Sequence, residues 1–261
     1  RVGRNATQGA PSHLYRWWRA VIHPARRPFP DGEGFFETLR TEEGKIAAFT
    51  RHMRRALTAA KATGIRMPSE EALRLEVAKS IEANPQTVGR LRICFTKDEV
   101  VITHDPYEDL VEGGYLTFSV VTSKAIGEQF KTFPYDDHYE VVDEARAHGF
   151  DDAIIFNKAN NVTETGLSNL VFLFDGTWFT PPITAGILPG TMRSLAIEKC
   201  DVQVRNIHIT EVPQADEIFL LSSLKIAQPV VQVGEMRFPC GPASQAFGAL
   251  MREKIEYFSV V

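Results

Sequence analysis

Cysteine is scarce in this chain of 261 residues: Cys94, Cys200 and Cys240 are its only three. They are odd in number and scattered, with no CxxC pair or neighbouring histidine cluster, which argues against a disulfide framework and against a zinc site. A reducing cytoplasm is the compartment this usage implies. Long apolar runs are missing too. None reaches the roughly 20 residues of a membrane-spanning helix, and the Arg-rich opening lacks the apolar core of a secretory signal. The chain opens on Arg1 rather than Met, so its true start is expected upstream. A third absence is an excess of positive charge: 29 Lys and Arg against 33 Asp and Glu leave a net charge of −4. That is the wrong footprint for non-specific nucleic-acid binding, and it points to a small-molecule partner. No internal repeat or low-complexity tract is present. What remains is an ordinary globular composition, 44% hydrophobic and 24% charged, sufficient to bury a core in one large or two moderate domains.

Along the chain, residues 1–13 are polar with Gly and Pro and read as a loose tail, followed by an aromatic patch containing Trp17 and Trp18. That Trp pair is expected to pack on the first domain rather than to line a subunit interface. From Gly34 the segment GFFETLRT alternates as a strand, turns at residues 42–45 and returns through IAAFT. Thr50 is placed to N-cap a helix ending near Gly64, with Met53, Leu57 and Ala60 as its buried stripe. Ser69 opens a second helix, in which Leu73, Val77 and Ile81 recur every four residues until Asn84-Pro85 stops it. Residues 91–96 and 99–103 form a hairpin, and 115–122 another strand. The Pro/Gly/acid-rich run THDPYEDLVEGG is the boundary between two α+β halves, a small domain over 1–112 and a larger one over 113–261. The second half gives a helix at 141–148, strands at 153–156, 170–174 and 178–180, a helix at 191–199, a strand pair near 217–221 and 230–233, and a last helix at about 243–255.

Residues 160–193 say most about chemistry. They hold one acid in a turn, Glu164, and the loop GILPGTMR, in which Gly190 precedes a helix start. The unpaired N–H groups and dipole of such a start attract phosphate, although Leu-Pro-Gly before a helix is more often only a turn.

Taken together, GFFETLR, RHMRRAL, FKT, EARAHGFDDAIIF, NNVTETGLSNL, FTPPITAGILPGTMR and ADEIFLLSSLKIAQPV, in this order, resemble the class IV aminotransferase family, pyridoxal-phosphate enzymes of fold type IV. The family includes branched-chain and D-amino-acid aminotransferases and aminodeoxychorismate lyase, and the resemblance runs from about Gly32 to about Pro242. It implies an α+β fold of two domains, a smaller N-terminal α/β sandwich and a larger C-terminal pseudo-barrel, and a homodimer. It also implies pyridoxal 5′-phosphate as cofactor. Lys131 in FKT would be the Schiff-base lysine, holding the cofactor aldehyde and later moving protons at the substrate carbon; position in the motif lifts it above Lys124, since a lone Lys is otherwise solvated surface. Glu164 would face the pyridine nitrogen and keep it protonated. Arg55 would contact the cofactor phosphate, with the backbone of Thr191 and Met192 and the hydroxyl of Ser223 completing the cup.

Some positions depart from the family pattern. The spacing from Lys131 to EAR is about one residue shorter than in branched-chain enzymes, which leaves open whether Tyr135 or Asp136 stands beside the cofactor ring. Met192 replaces a threonine common in that group. Thr38 in FETLR sits where the family's lyases tend to carry threonine and branched-chain enzymes glycine, and in the lyases that hydroxyl moves a proton during elimination. A β-forming Thr on a strand also needs no catalytic reason. The segment SSLKIAQPV similarly resembles the lyase pattern, with Ser222 replacing its asparagine. The leading expectation is an aminodeoxychorismate-lyase-like elimination, releasing pyruvate and leaving 4-aminobenzoate. The alternative is an amino-acid transaminase, and a third is a non-catalytic binding module on an inherited fold.

Overall fold

The computed structural model describes residues 19–22, 29–109, 114–118 and 130–259. The tail over 1–13, the Trp17-Trp18 pair and Lys124 lie outside the described residues, as does the second half of the strand expected at 115–122.

Alternating apolar residues build the first sheet. Its members are β1 (Arg19–Ile22), β2 (Gly34–Glu42) and β3 (Lys45–Ala47), then, after helices α1 (Phe49–Thr63) and α2 (Glu70–Ala83), β4 (Val88–Phe95) and β5 (Glu99–Pro106). β4 is antiparallel to both β2 and β5, with Thr38 opposite Arg92, and β1 runs parallel to β5 at the edge. One face of β2, Phe35 and Leu39, buries against α1 and α2 through Phe49, Met53, Ala56, Leu73 and Val77. The opposite face carries Phe36, Thr38 and Arg40, because successive strand side chains point to opposite sides. Arg40 ties that face to the rest of the molecule: it is bidentate on Asp109 at 2.8 and 2.7 Å and donates to the Leu224 carbonyl at 2.7 Å.

The second half contributes β6 (Gly114–Phe118), β7 (Thr132–Phe133), α3 (Asp136–Ala147), β8 (Asp152–Phe156), β9 (Val162–Thr165), β10 (Asn169–Phe174) and β11 (Thr177–Thr180). It continues through α4 (Thr191–Lys199), β12 (Gln203–Val204), β13 (Glu217–Ser222), β14 (Ile226–Val233), β15 (Met236–Arg237), α5 (Pro242–Glu253) and β16 (Tyr257–Ser259). The sheet order is β12-β11-β10-β13-β14-β6-β8-β9. Along that path β13, β14, β6 and β8 separate β10 from β9, yet only residues 166–168 join the two in sequence. A sheet whose distant strands must meet again curls, and this one forms a half-barrel, in keeping with the C-terminal pseudo-barrel that the family resemblance implies. α4 and α5 cover its outside through Met192, Leu195, Phe219, Phe247 and Met251. The division into sheets falls between β5 and β6, and two short strands cross back: β7 pairs with β2 and β16 with β3.

Several local expectations change. α1 starts one residue before Thr50; its N-cap is Ala48 in the left-handed region at φ 52°, with no side-chain cap. A tertiary contact supplies the reason, because Ala48 N–H donates to the Glu256 carbonyl at 2.8 Å, next to the β3–β16 pairing. Leu57 is 50% exposed, while Phe49, His52, Met53, Ala56 and Ala59 are buried, so the inward face is rotated from the stripe read in the sequence. α2 matches: Ser69 Oγ accepts the Ala72 N–H at 3.3 Å, and Leu73, Val77 and Ile81 are buried. α3 begins five residues earlier than the expected 141, and Glu164 lies on strand β9 rather than in a turn.

Candidate active site

A cavity of about 410 Å³ opens between the two sheets, and Thr38, Lys131, Tyr135, Glu164, Thr191 and Ser223 are in its wall. The volume lies in the range of small-molecule and cofactor sites. Lys131 enters just ahead of β7, whose pairing with β2 fixes it beside Phe36 and α3. Its Nζ is 3.2 Å from the Tyr135 hydroxyl and sits 4.7 and 4.5 Å from the ring centres of Phe36 and Tyr135. Burial, reinforced by the Arg55 cation, pushes the amine down to about 7 against the pull of Glu37 and Glu164. The depressed value favours the neutral form of the amine, the form in which an amine is nucleophilic. Tyr135 is buried and stacks on His138 at 3.9 Å, whereas Asp136 is exposed in the first turn of α3. Of the two residues left open by the sequence, Tyr135 is the one in the cavity.

At one end stands Glu164, 4% exposed on β9. Asn169 Nδ2 donates to it at 2.9 Å, and the Leu188 N–H donates at 3.2 and 3.1 Å to its two oxygens. Desolvation raises the carboxyl to about 8 despite those bonds and the Lys131 charge. An acid so deprived of counter-charge is matched to a protonated ring nitrogen, which restores an ion pair in a dry site.

At the other end α4 begins at Thr191, after Gly190, with no side-chain cap on its first turn. A Cβ on Gly190 would come within 1.9 Å of Asn169 Oδ1, so glycine is what permits the loop to approach so closely. Thr191 Oγ1 and Ser223 Oγ lie 3.1 Å apart at this helix start, and Arg55 reaches in from α1 to the Pro189 carbonyl at 3.3 Å. Only the backbone of Met192 is available there, since its side chain is 1% exposed in the outer core.

The residues expected from the sequence therefore converge on one cavity. Two partners were missed. Glu37, on the face of β2 opposite Thr38, takes Arg55 Nε at 2.8 Å and Nη2 at 2.6 Å. His52 Nδ1 is 2.6 Å from the same carboxylate. A signal existed, since His52 and Arg55 are three apart on one helix, so they share a face.

Two sheets joined around a cavity with a buried amine, a buried acid and an uncapped helix start have the architecture of pyridoxal-phosphate enzymes of fold type IV. The family model for amino-transferase class IV matches residues 34–233, and the chain belongs to that family. Pyridoxal 5′-phosphate is its cofactor, and the acid at one end and donors at the other fit the ring nitrogen and phosphate of that molecule. The chain is 33% identical over 127 residues to the branched-chain-amino-acid aminotransferase of Escherichia coli K12, covering 43% of this chain and 40% of that one. The match thus spans about two fifths of the length of the branched-chain relatives. The aminodeoxychorismate lyase of Vibrio harveyi is 25% identical over 247 residues, 82% of this chain and 90% of that one. Among solved structures, a candidate 4-amino-4-deoxychorismate lyase from Legionella pneumophila superposes with a TM-score of 0.81 at 23% identity, covering 91% of this chain and 99% of that one; the likeness is one of fold. No helix among the described residues is long and apolar enough to cross a membrane.

Proposed function

We propose that this chain is a pyridoxal-phosphate-dependent enzyme acting on an amino-acid-like small molecule, and that its reaction is an aminodeoxychorismate-lyase-like elimination. When bound, the cofactor supplies an aldehyde that takes up amines and a ring that accepts electron density from the substrate carbon. Lys131 would hold the aldehyde through its amine and, once free, would take the proton from the carbon bearing the substrate amine. Tyr135 orients the Lys131 amine through the 3.2 Å contact. Glu164 keeps the ring nitrogen protonated, and Arg55, Ser223 and the N–H groups of Thr191 and Met192 hold the phosphate.

The observation that carries elimination is Thr38, whose side chain lies in the same cavity wall as Lys131 and opposite Arg92 on β4. There its hydroxyl serves to pass a proton to the departing group. The proton leaves the amine-bearing carbon, the neighbouring carbon–oxygen bond breaks, the ring becomes aromatic as 4-aminobenzoate, and the released enolate takes up that one proton to become pyruvate. No acceptor is consumed.

A second reading, a branched-chain or D-amino-acid transaminase, is favoured by the 33% identity to the branched-chain enzymes. In it Lys131 would move the same proton, and the amino group would end on a 2-keto acid. Incubation with aminodeoxychorismate, and separately with L- and D-amino acids plus 2-oxoglutarate, separates them. Pyruvate formed without an acceptor supports the lyase. Amino transfer to 2-oxoglutarate with no pyruvate from aminodeoxychorismate overturns it. We further read residues 1–112 and 113–261 as two domains and the working form as a cytoplasmic homodimer, which sedimentation of the purified protein checks.

A further inference from the structure

Behind the phosphate end lies a buried relay that the roles above leave unused. Burial alone would raise the Glu37 carboxyl, but Arg55 and His52 hold it down to about 2, so it is ionised and accepts only. His52 is wholly buried, and its Nδ1 must therefore carry the hydrogen of the 2.6 Å contact with Glu37. The other ring nitrogen, Nε2, faces two hydroxyls: Ser223 Oγ at 3.1 Å and Thr191 Oγ1 at 3.4 Å. With neutral His52 the hydrogens close on themselves, Thr191 donating to Ser223 and Ser223 to Nε2. Neither hydroxyl proton is then left for a ligand. A phosphate dianion accepts hydrogen bonds and offers none, so both hydroxyls must turn to it, leaving the Nε2 lone pair against two oxygen lone pairs.

We propose that His52 is a proton-coupled positioning residue of the phosphate end: binding of the dianion loads a proton onto Nε2, which then donates to Ser223 and Thr191 and holds their hydroxyls toward the ligand. This rests on the phosphate-cup reading above. Charge balance argues the same way. Arg55 is already matched by Glu37, so an arriving dianion meets no surplus cation in this trio until His52 gains its proton. The charged groups around His52 are Glu37 from β2, Arg55 from its own helix and Lys131 from the segment before β7. In the ligand-free site, burial lowers the imidazole below its usual range, and Arg55 and Lys131 add to that while Glu37 opposes it. The dianion opposes it further and raises it. Between the two values, binding takes up a proton, and affinity falls as pH rises through the ligand-bound value.

The test is calorimetric titration of Lys131→Ala protein, in which the titrating amine is gone, with pyridoxal 5′-phosphate and with inorganic phosphate. Two buffers of different ionisation enthalpy at pH 7.5 report protons taken up; the phosphate ester of pyridoxal 5′-phosphate is then nearly all dianion, its second pKa being about 6, whereas inorganic phosphate still carries part of a proton, which is subtracted from its count. We expect more than half a proton taken up per site, falling to near zero when His52→Gln is added. Gln places an amide N–H close to where Nε2 stood, so its affinity at pH 7.5 should stay within about threefold, whereas His52→Leu should lose at least tenfold. Pyridoxal, lacking the phosphate, should show no His52-dependent uptake. Uptake near zero in the Lys131→Ala protein, or uptake unchanged by His52→Gln, overturns the proposal. Pyridoxal binding as tightly as its phosphate would sink the cup reading itself, and the His52 proposal with it.

Discussion

Glu37→Gln is the most revealing single change, because it separates the architecture of the phosphate end from its ligand. The carboxylate is 1% exposed and bridges Arg55 and His52. Its pKa in the fold is about 2 against an ordinary 4.5, a depression that corresponds to roughly 3 kcal/mol of folding stability. A depressed carboxyl stabilises above its unfolded value, so this contribution is complete above pH 4.5 and is lost as pH falls toward 2. The Gln side chain removes it at neutral pH and leaves the Arg55 cation with the Pro189 carbonyl but no carboxylate, a defect of about 3–5 kcal/mol. For a chain of this size that lowers the melting temperature by roughly 6 °C or more. Saturating phosphate should restore part of the loss by giving Arg55 a new anion. Thermal melts of ligand-free protein at pH 7.5, with and without phosphate, read both effects. A ligand-free drop below about 2 °C, or a drop of the same size with phosphate present, would refute the reasoning.

Thr38→Val keeps the strand and removes the hydroxyl, so pyruvate formation should fall by about 10²-fold or more, while the visible band of bound cofactor is unchanged. Glu164→Gln preserves the 2.9 Å partnership with Asn169 but cannot hold a proton on the ring nitrogen; steady-state kinetics should show a loss of about 10²–10³ in turnover with the cofactor still bound. Gly190→Ala drives a methyl to within 1.9 Å of Asn169 Oδ1, which displaces the loop before α4, and cofactor affinity measured by absorbance titration should weaken at least about tenfold.

Much of this was readable from residue order. α4 has the very bounds read from the sequence, Thr191–Lys199, and α2 carries the expected cap and apolar face, because both follow from local spacing. The same holds for the ordered motifs that bring Lys131, Glu164, Arg55, Thr191, Met192 and Ser223 to one cavity. What stayed hidden depends on partners distant in sequence. Ala48 starts α1 because residue 256 returns beside it, and no propensity at Thr50 could reveal that. β16 and β7 are too short to declare themselves and exist through pairing with β3 and β2. Glu164 looked like a turn acid because VTET holds only four residues of strand, which closure of the half-barrel stabilises. Glu37 was passed over although it neighbours Thr38, since only the facing helix shows that it, His52 and Arg55 form one unit.

Lys131 is the amine proposed to take up the cofactor. Borohydride reduction of the protein incubated with pyridoxal 5′-phosphate, followed by proteolysis and mass mapping, should place one pyridoxyl group on Lys131 alone, with a capture rate that rises through about pH 7 as the amine loses its proton. A label on another lysine, or equal labelling of a Lys131→Ala variant, would contradict the account.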